Sequence, residues 1–190
     1  MLNKFHLLFI AMSIIYFEAT ECKSEKDHKW TIQNVQYCPE NDKLESPLSN
    51  LKYNKINASI GELSYDICYK RPLDENVGIL LKLEKWTEKG WSEFPLLPFQ
   101  KDVCRYSLKS PLMREMWIYW GTKMKVPQPD KCPIPAGCYS MENVIIDMKL
   151  MQKVPFWSGL YRFSIIEKIV KTQEWIYCLQ LTFESREIVG

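Results

Sequence analysis

Apolar and polar residues alternate along several stretches of the chain, the period expected of strands that bury one face. "KWTIQNVQYC" predicts a first strand from Trp30 to Cys38. A turn-rich stretch with two prolines, "CPENDKLESPLSN", follows it. The segment from Lys55 to Lys70 reads as β, with Gly61 a bulge candidate. In "VGILLKLEKW", Val77, Ile79, Leu81 and Leu83 share one face; Gly90 then supplies the turn of a hairpin into "WSEFP". Three further alternating runs close the chain. They carry Val144, Ile146, Met148 and Leu150; then Tyr161, Phe163, Ile165 and Ile169; then Trp175, Tyr177, Leu179, Leu181 and Phe183. One stretch has helical spacing instead. In "KSPLMREMWIYWG", Ser110 reads as the N-cap, Pro111 as the first helical residue and Gly121 as the C-cap. Leu112, Met113, Met116, Trp117 and Trp120 fall on one side of that helix. The pattern predicts an all-β chain: an antiparallel two-sheet β-sandwich with one short helix.

A chain of 190 residues suits a single domain. Its net charge of +2, with no basic run interleaved with aromatics, offers no footing for nucleic acid. The N-terminus adds an address. One lysine precedes an apolar run from Leu7 to Phe17, which is too short to span a bilayer and suits a signal peptide. Cleavage after Cys22, with Ala19 the alternative, divides the chain into a leader of residues 1–22 and a domain of residues 23–190. It also leaves six of the seven cysteines, an even number that in an exported chain reads as three disulfides whose pairing spacing alone does not choose. The sequon at Asn57 fits a secreted, surface-glycosylated chain.

The chemistry-bearing residues are few. The two histidines, His6 in the leader and His28 in the polar approach to the first strand, are poorly placed to serve a Ser or Cys nucleophile. No C-x-x-C, H-E-x-x-H or glycine-rich phosphate loop is present, so no metal or cofactor is expected. Carboxylates sit mostly in turns and on polar faces, which leaves a carboxylate hydrolase as a distant alternative. The reading is therefore a binding protein and not an enzyme. A sandwich whose sheets splay apart encloses an apolar space, and ligand pockets are mostly apolar.

The motif "CPIPAGCYS", then "SGLYRFSII" and "WIYCLQLTF", resembles the C-terminal half of the ganglioside activator-like branch of the ML lipid-recognition superfamily. Within it the chain looks most like the insect CheB chemosensory proteins. "NLKYNKINASIGELSYDI" is similar, more loosely, to that family's long early strand. The resemblance implies a β cup with an apolar cavity between its sheets and a disulfide from first to last strand, here Cys38 to Cys178. It further implies Cys104 with Cys132 and leaves Cys68 for Cys138, with a small Cys132–Cys138 loop as the alternative. For function it implies a secreted carrier that presents a lipid, long-chain hydrocarbon or pheromone-like cue in gustatory detection, in concert with a chemoreceptor or ion channel. The alternation then nominates Leu81, Leu83, Val144, Ile146, Phe163, Ile165, Leu179 and Leu181 as cavity walls. Met113, Met116, Trp117 and Trp120 are nominated as mouth or lid. The competing reading is a solidly packed interaction module that modulates a receptor without lipid.

Overall fold

A computed structural model describes residues 28–94, 98–109, 111–148 and 157–188. The expected leader, with His6 and Cys22, lies outside the described residues, as do Ser110 and Leu150. Two antiparallel sheets make up the body of the chain. The larger has five strands: β1 (His28–Tyr37), β4 (Val77–Thr87), β5 (Gly90–Phe94), β7 (Gly159–Ile169) and β8 (Trp175–Glu187), in the order β1-β8-β7-β4-β5. The smaller has three: β2 (Leu48–Lys55), β3 (Ile60–Tyr69) and β6 (Gly137–Asp147), in the order β2-β3-β6. Helices α1 (Val103–Lys109) and α2 (Pro111–Lys123) connect β5 to β6. The expected two-sheet sandwich is thus the fold.

The inner faces hold the core. β8 contributes Tyr177, Leu179, Leu181 and Phe183; β7 contributes Tyr161, Phe163 and Ile165; β3 contributes Leu63, Tyr65, Ile67 and Tyr69. At one end Phe183 lies between Trp30 and Tyr161, with ring centroids 5.3 and 5.6 Å away. Alternation would fail along two strands without bulges, which shift the parity by one residue. In β1 the register slips between Ile32 and Asn34, so Trp30 and Ile32 face inward and the next inward residue is Val35. In β6 the slip follows Met141: Asn143 takes a left-handed conformation (φ 54°), its N–H bonds Ser64 Oγ at 2.9 Å, and Val144 returns to the core.

Several local expectations need correction. The β reading from Lys55 to Lys70 covers the end of β2, a turn and β3, and β2 begins earlier, at Leu48. No bulge occurs at Gly61. That glycine instead lets Tyr53 lie against the strand, since a Cβ there would sit 2.2 Å from the Tyr53 ring. Gly121 does not cap α2, which runs on to Lys123. Left-handed Lys125 (φ 57°) ends the helix, and Val126 N–H bonds the Gly121 carbonyl at 2.8 Å. What Gly121 permits is the close approach of Pro129, 2.4 Å from where a Cβ would stand. Helix α1 escaped the periodicity because it is only seven residues long. Asp102 caps it by accepting the Arg105 N–H at 3.0 Å.

Three disulfides tie these elements: Cys38–Cys178, Cys68–Cys138 and Cys104–Cys132. The first joins neighbouring strands of the large sheet and the second joins β3 to β6. The third closes the helical segment at its base, linking α1 to the corner before β6. At that corner Ile134 pairs with Leu73, and Tyr139 donates to the Pro135 carbonyl at 2.7 Å. A second tyrosine does the same at the start of β7, where Tyr161 donates to the Trp157 carbonyl at 2.7 Å.

The approach to the helices is also seated on the sheet. Gln100 and Ile79 exchange backbone hydrogen bonds of 2.8 and 2.9 Å, which lays residues 98–100 against β4. Gly78 makes room for this: a Cβ there would stand 2.6 Å from the Gln100 carbonyl oxygen and 2.3 Å from the Phe99 ring. Gly78→Ala is therefore expected to destabilise the fold by about 1–3 kcal/mol, the range for overpacking, measured as a lowered urea midpoint. An unchanged midpoint would show that residues 98–100 are not held against β4.

Candidate functional site

The inner faces do not close completely. Between them lies a cavity of about 70 Å³ with almost wholly apolar walls. The large sheet supplies Val35 from β1, Phe163 and Ile165 from β7, and Leu179 and Leu181 from β8. The small sheet supplies Leu63 and Tyr65 from β3, and Met141, Val144 and Ile146 from β6. Met116, Tyr119 and Trp120 of α2 form the remaining wall.

Eight of the twelve residues nominated from sequence meet here: Met116, Trp120, Val144, Ile146, Phe163, Ile165, Leu179 and Leu181. Leu81 and Leu83 lie one strand away, opposite Ile165 and Phe163 in the β4–β7 register, and pack into the core. Met113 is buried and Trp117 packs half-buried against the core, both off the cavity lining. The residues sequence reasoning missed are Val35, Leu63, Tyr65, Tyr119 and Met141. Leu63 and Tyr65 carried the right alternation. Val35 and Met141 were hidden by the two bulges, which put them out of step with a simple period of two.

A polar cluster adjoins this apolar space. On β7, Phe163, Ile165 and Glu167 follow one another on the same face, so Glu167 stands one step, roughly 6.6 Å, beyond the cavity wall. On β8 Tyr177 stands in the same relation to Leu179. Glu167 is buried at 5% exposure. One carboxyl oxygen accepts from the Tyr69 hydroxyl at 3.2 Å, and the other, Oε2, has no hydrogen-bond partner among the described residues. Tyr65, which also lines the cavity, bonds Tyr177 through its hydroxyl. Burial pushes the Glu167 carboxyl up to about 8, and the Tyr69 hydrogen bond only partly opposes this. At neutral pH the acid is mainly protonated and is itself a donor.

Glu84, on the opposite face of the same sheet, shows what a buried acid looks like when it is fully paired. Burial works to raise it, but hydrogen bonds from Arg162 (2.8 Å) and Lys82 (3.0 Å) prevail and hold it below the ordinary glutamate value. Those groups belong to a polar groove of about 500 Å³ on the outer face, beneath Pro39, Leu44 and Trp175. The groove is larger than the inner cavity. Its polar groups bond one another, Gln180 to Ser164 at 3.2 Å and Lys43 to Glu40 at 3.1 Å among them, so it carries no unmet bonding demand.

The other sequence candidates resolve as follows. His28 is part of β1, not of a polar approach to it; it is buried, with Nδ1 3.0 Å from Ser185 Oγ. Ser185 is fully buried, which denies that hydroxyl access to a substrate carbonyl. Asn57 is exposed in the turn between β2 and β3, where its Oδ1 accepts from the Ser59 and Ile60 N–H groups, each at 2.9 Å. Among the described residues no group of three or more His, Cys, Asp or Glu is placed to hold a metal ion, and no helix is long and apolar enough to cross a membrane.

Glu167 has a measurable consequence. Its folded-state value near 8 lies above its ordinary 4.5, so folding takes up a proton between those pH values. The stability this acid contributes is whole below about pH 4.5, erodes as pH rises and is lost by about pH 8. Among the described residues the titratable groups coupled to it are Tyr65 and Tyr69 of β3 and Tyr177 of β8, with Tyr139 of β6 packed against Tyr69. Burial raises all four above the usual tyrosine value, so they stay neutral in this window. Glu167→Gln is therefore expected to gain stability over the parent as pH rises from 5 to 8, by at most about 1.4 kcal/mol per pH unit, with a constant difference above. Parallel curves in chemical denaturation would contradict a buried, proton-binding acid.

No protein-family model matches the chain, and no curated protein matches it.

Proposed function

We propose that the protein binds a slender hydrophobic ligand between its two sheets, with helix α2 as the cover of the site. The observation that carries this reading is the apolar cavity enclosed by both sheets and by Met116, Tyr119 and Trp120. A space without polar partners holds water poorly and favours hydrocarbon. At about 70 Å³ the cavity is smaller than the roughly 300–1,000 Å³ of typical small-molecule pockets, so a long-chain ligand needs one wall to move. Helix α2 is suited to that. It joins no sheet ladder, it meets the cavity through Met and aromatic side chains that repack readily, and the Cys104–Cys132 disulfide holds the base of the helical segment.

The resemblance to ganglioside activator-like and CheB proteins adds the ligand class and the setting. The ligand is a lipid, long-chain hydrocarbon or pheromone-like molecule. The protein carries or presents it outside the cell in gustatory detection, in concert with a chemoreceptor or channel. Three disulfides support an oxidising compartment and so a secreted protein. The small size of the cavity favours the second reading, an interaction module that modulates a receptor or channel without lipid.

Displacement of a fluorescent fatty acid separates the two readings. The parent protein is expected to bind the probe and to release it to unlabelled long-chain lipid. Val144→Phe, which fills the space from β6, is expected to lose at least tenfold in affinity while retaining a cooperative unfolding transition. An absence of probe binding by the folded parent would leave the interaction module standing.

A further inference from the structure

The structure leaves a carboxyl oxygen unmatched next to the cavity wall; among the described residues Tyr53 Oη, Ser107 Oγ and Trp117 Nε1 are also buried without a partner, but none of them is an acid. Glu167 Oε2 is buried without a partner among the described residues, and orphaned polar atoms of this kind are uncommon in folded proteins. The acid does not stand alone. Tyr69 donates to its other oxygen at 3.2 Å. Tyr65 and Tyr177 are bonded to each other nearby, and Tyr65 also forms part of the cavity wall. Same-face neighbours along two strands lead from the apolar lining into this cluster: Ile165 to Glu167 on β7 and Leu179 to Tyr177 on β8.

We propose that Glu167, together with the hydroxyls of Tyr69, Tyr65 and Tyr177, is the polar end of the ligand site and selects an apolar chain that ends in a neutral oxygen-bearing group, an alcohol or a carbonyl. This rests on the reading of the cavity as a ligand site. A protonated carboxyl donates to such an oxygen through Oε2, and the tyrosine hydroxyls both donate and accept. Among the described residues no cation acts on Glu167, so an anionic head finds no counter-charge there. A purely hydrocarbon ligand leaves Oε2 as it is. The alcohol or carbonyl satisfies it, and this asymmetry gives the cluster its selectivity.

Calorimetric titration of the full chain at pH 6.5 with hexan-1-ol, heptane and hexylammonium tests this, because heptane replaces the hydroxyl by a methyl group and hexylammonium replaces it by a cation. In a site lined only by hydrocarbon, heptane binds more tightly, since the alcohol loses its water bonds without replacement. The polar end predicts that hexan-1-ol binds as tightly as heptane or more tightly. It also predicts that Glu167→Leu weakens the alcohol by about tenfold, the worth of one good hydrogen bond, without weakening heptane. Should the leucine variant not fold, Tyr65→Phe is expected to weaken hexan-1-ol alone. Heptane binding more tightly than hexan-1-ol to the parent overturns the polar-end assignment and leaves the cavity reading intact. Tighter binding of hexylammonium than of hexan-1-ol overturns the choice of a neutral head. No binding of any of the three overturns the ligand site together with the inference.

Discussion

The structure depends on a mismatch of widths. A sandwich is stable when each sheet covers the other's apolar face, yet here five strands oppose three. At about 4.8 Å per strand, the small sheet is roughly 10 Å too narrow for its partner. The inner face of the large sheet is apolar across β8, β7 and β4, and leaving part of it in water would cost about 25 cal/mol for every Å² exposed. The helical segment between β5 and β6 meets that demand. Helix α2 lies where a further strand of the small sheet would otherwise have to be, and its Met and Trp residues pack against the core. A helix against a sheet does not interdigitate as two sheets do, and the cavity lies where α2, β6 and the large sheet meet.

Other features hold this arrangement in place. The bulges of β1 and β6 keep inward parity over strands of ten and eleven residues. The disulfides tie the end of β1 to β8, β3 to β6, and the base of the helical pair to the corner before β6. Each closes a chain loop and so restricts the unfolded state. The motif "CPIPAGCYS" is where two of these staples meet, and its prolines leave Ile134 as an isolated partner for Leu73 instead of a strand. The apolar cavity lies where α2 covers the sheets, and the acid with its tyrosines lies beyond that lining, where β3, β7 and β8 meet, with Tyr65 common to both.

Much of this was legible in the chain. Half-buried strands announce themselves by alternation, so β4, β7 and β8 and most of their inward residues could be read directly; Trp175, which alternation groups with Tyr177, is instead exposed at the outer groove because the β7–β8 register shifts between Glu167 and Lys168. The cavity residues on those strands followed from the same pattern, as did Met116 and Trp120 from the helical stripe. What failed has physical causes. A bulge breaks the period of two, which hid Val35 and Met141. Two glycines read as conformational devices, Gly61 and Gly121, serve close packing against Tyr53 and Pro129, a property of tertiary neighbours and not of local sequence. Leu81 and Leu83 have the right parity but the wrong strand position, since sheet order is not written in alternation. Glu167 has the parity of Phe163 and Ile165, but on a strand that also carries Arg162, Ser164 and Lys168 an acid looks like an ordinary surface charge until its neighbours are known.

Whether the space beneath α2 takes a ligand with a polar end is tested most directly by seeing a ligand in it. Crystals grown with 6-bromohexan-1-ol would locate the bromine by its anomalous scattering. A ligand site with a polar end places the peak between the sheets, among Phe163, Val144 and Met116, with the hydroxyl toward Glu167 and Tyr65. A peak confined to exposed surface such as Trp86 or Trp157, or an interior without bound ligand at saturating concentration, would contradict it.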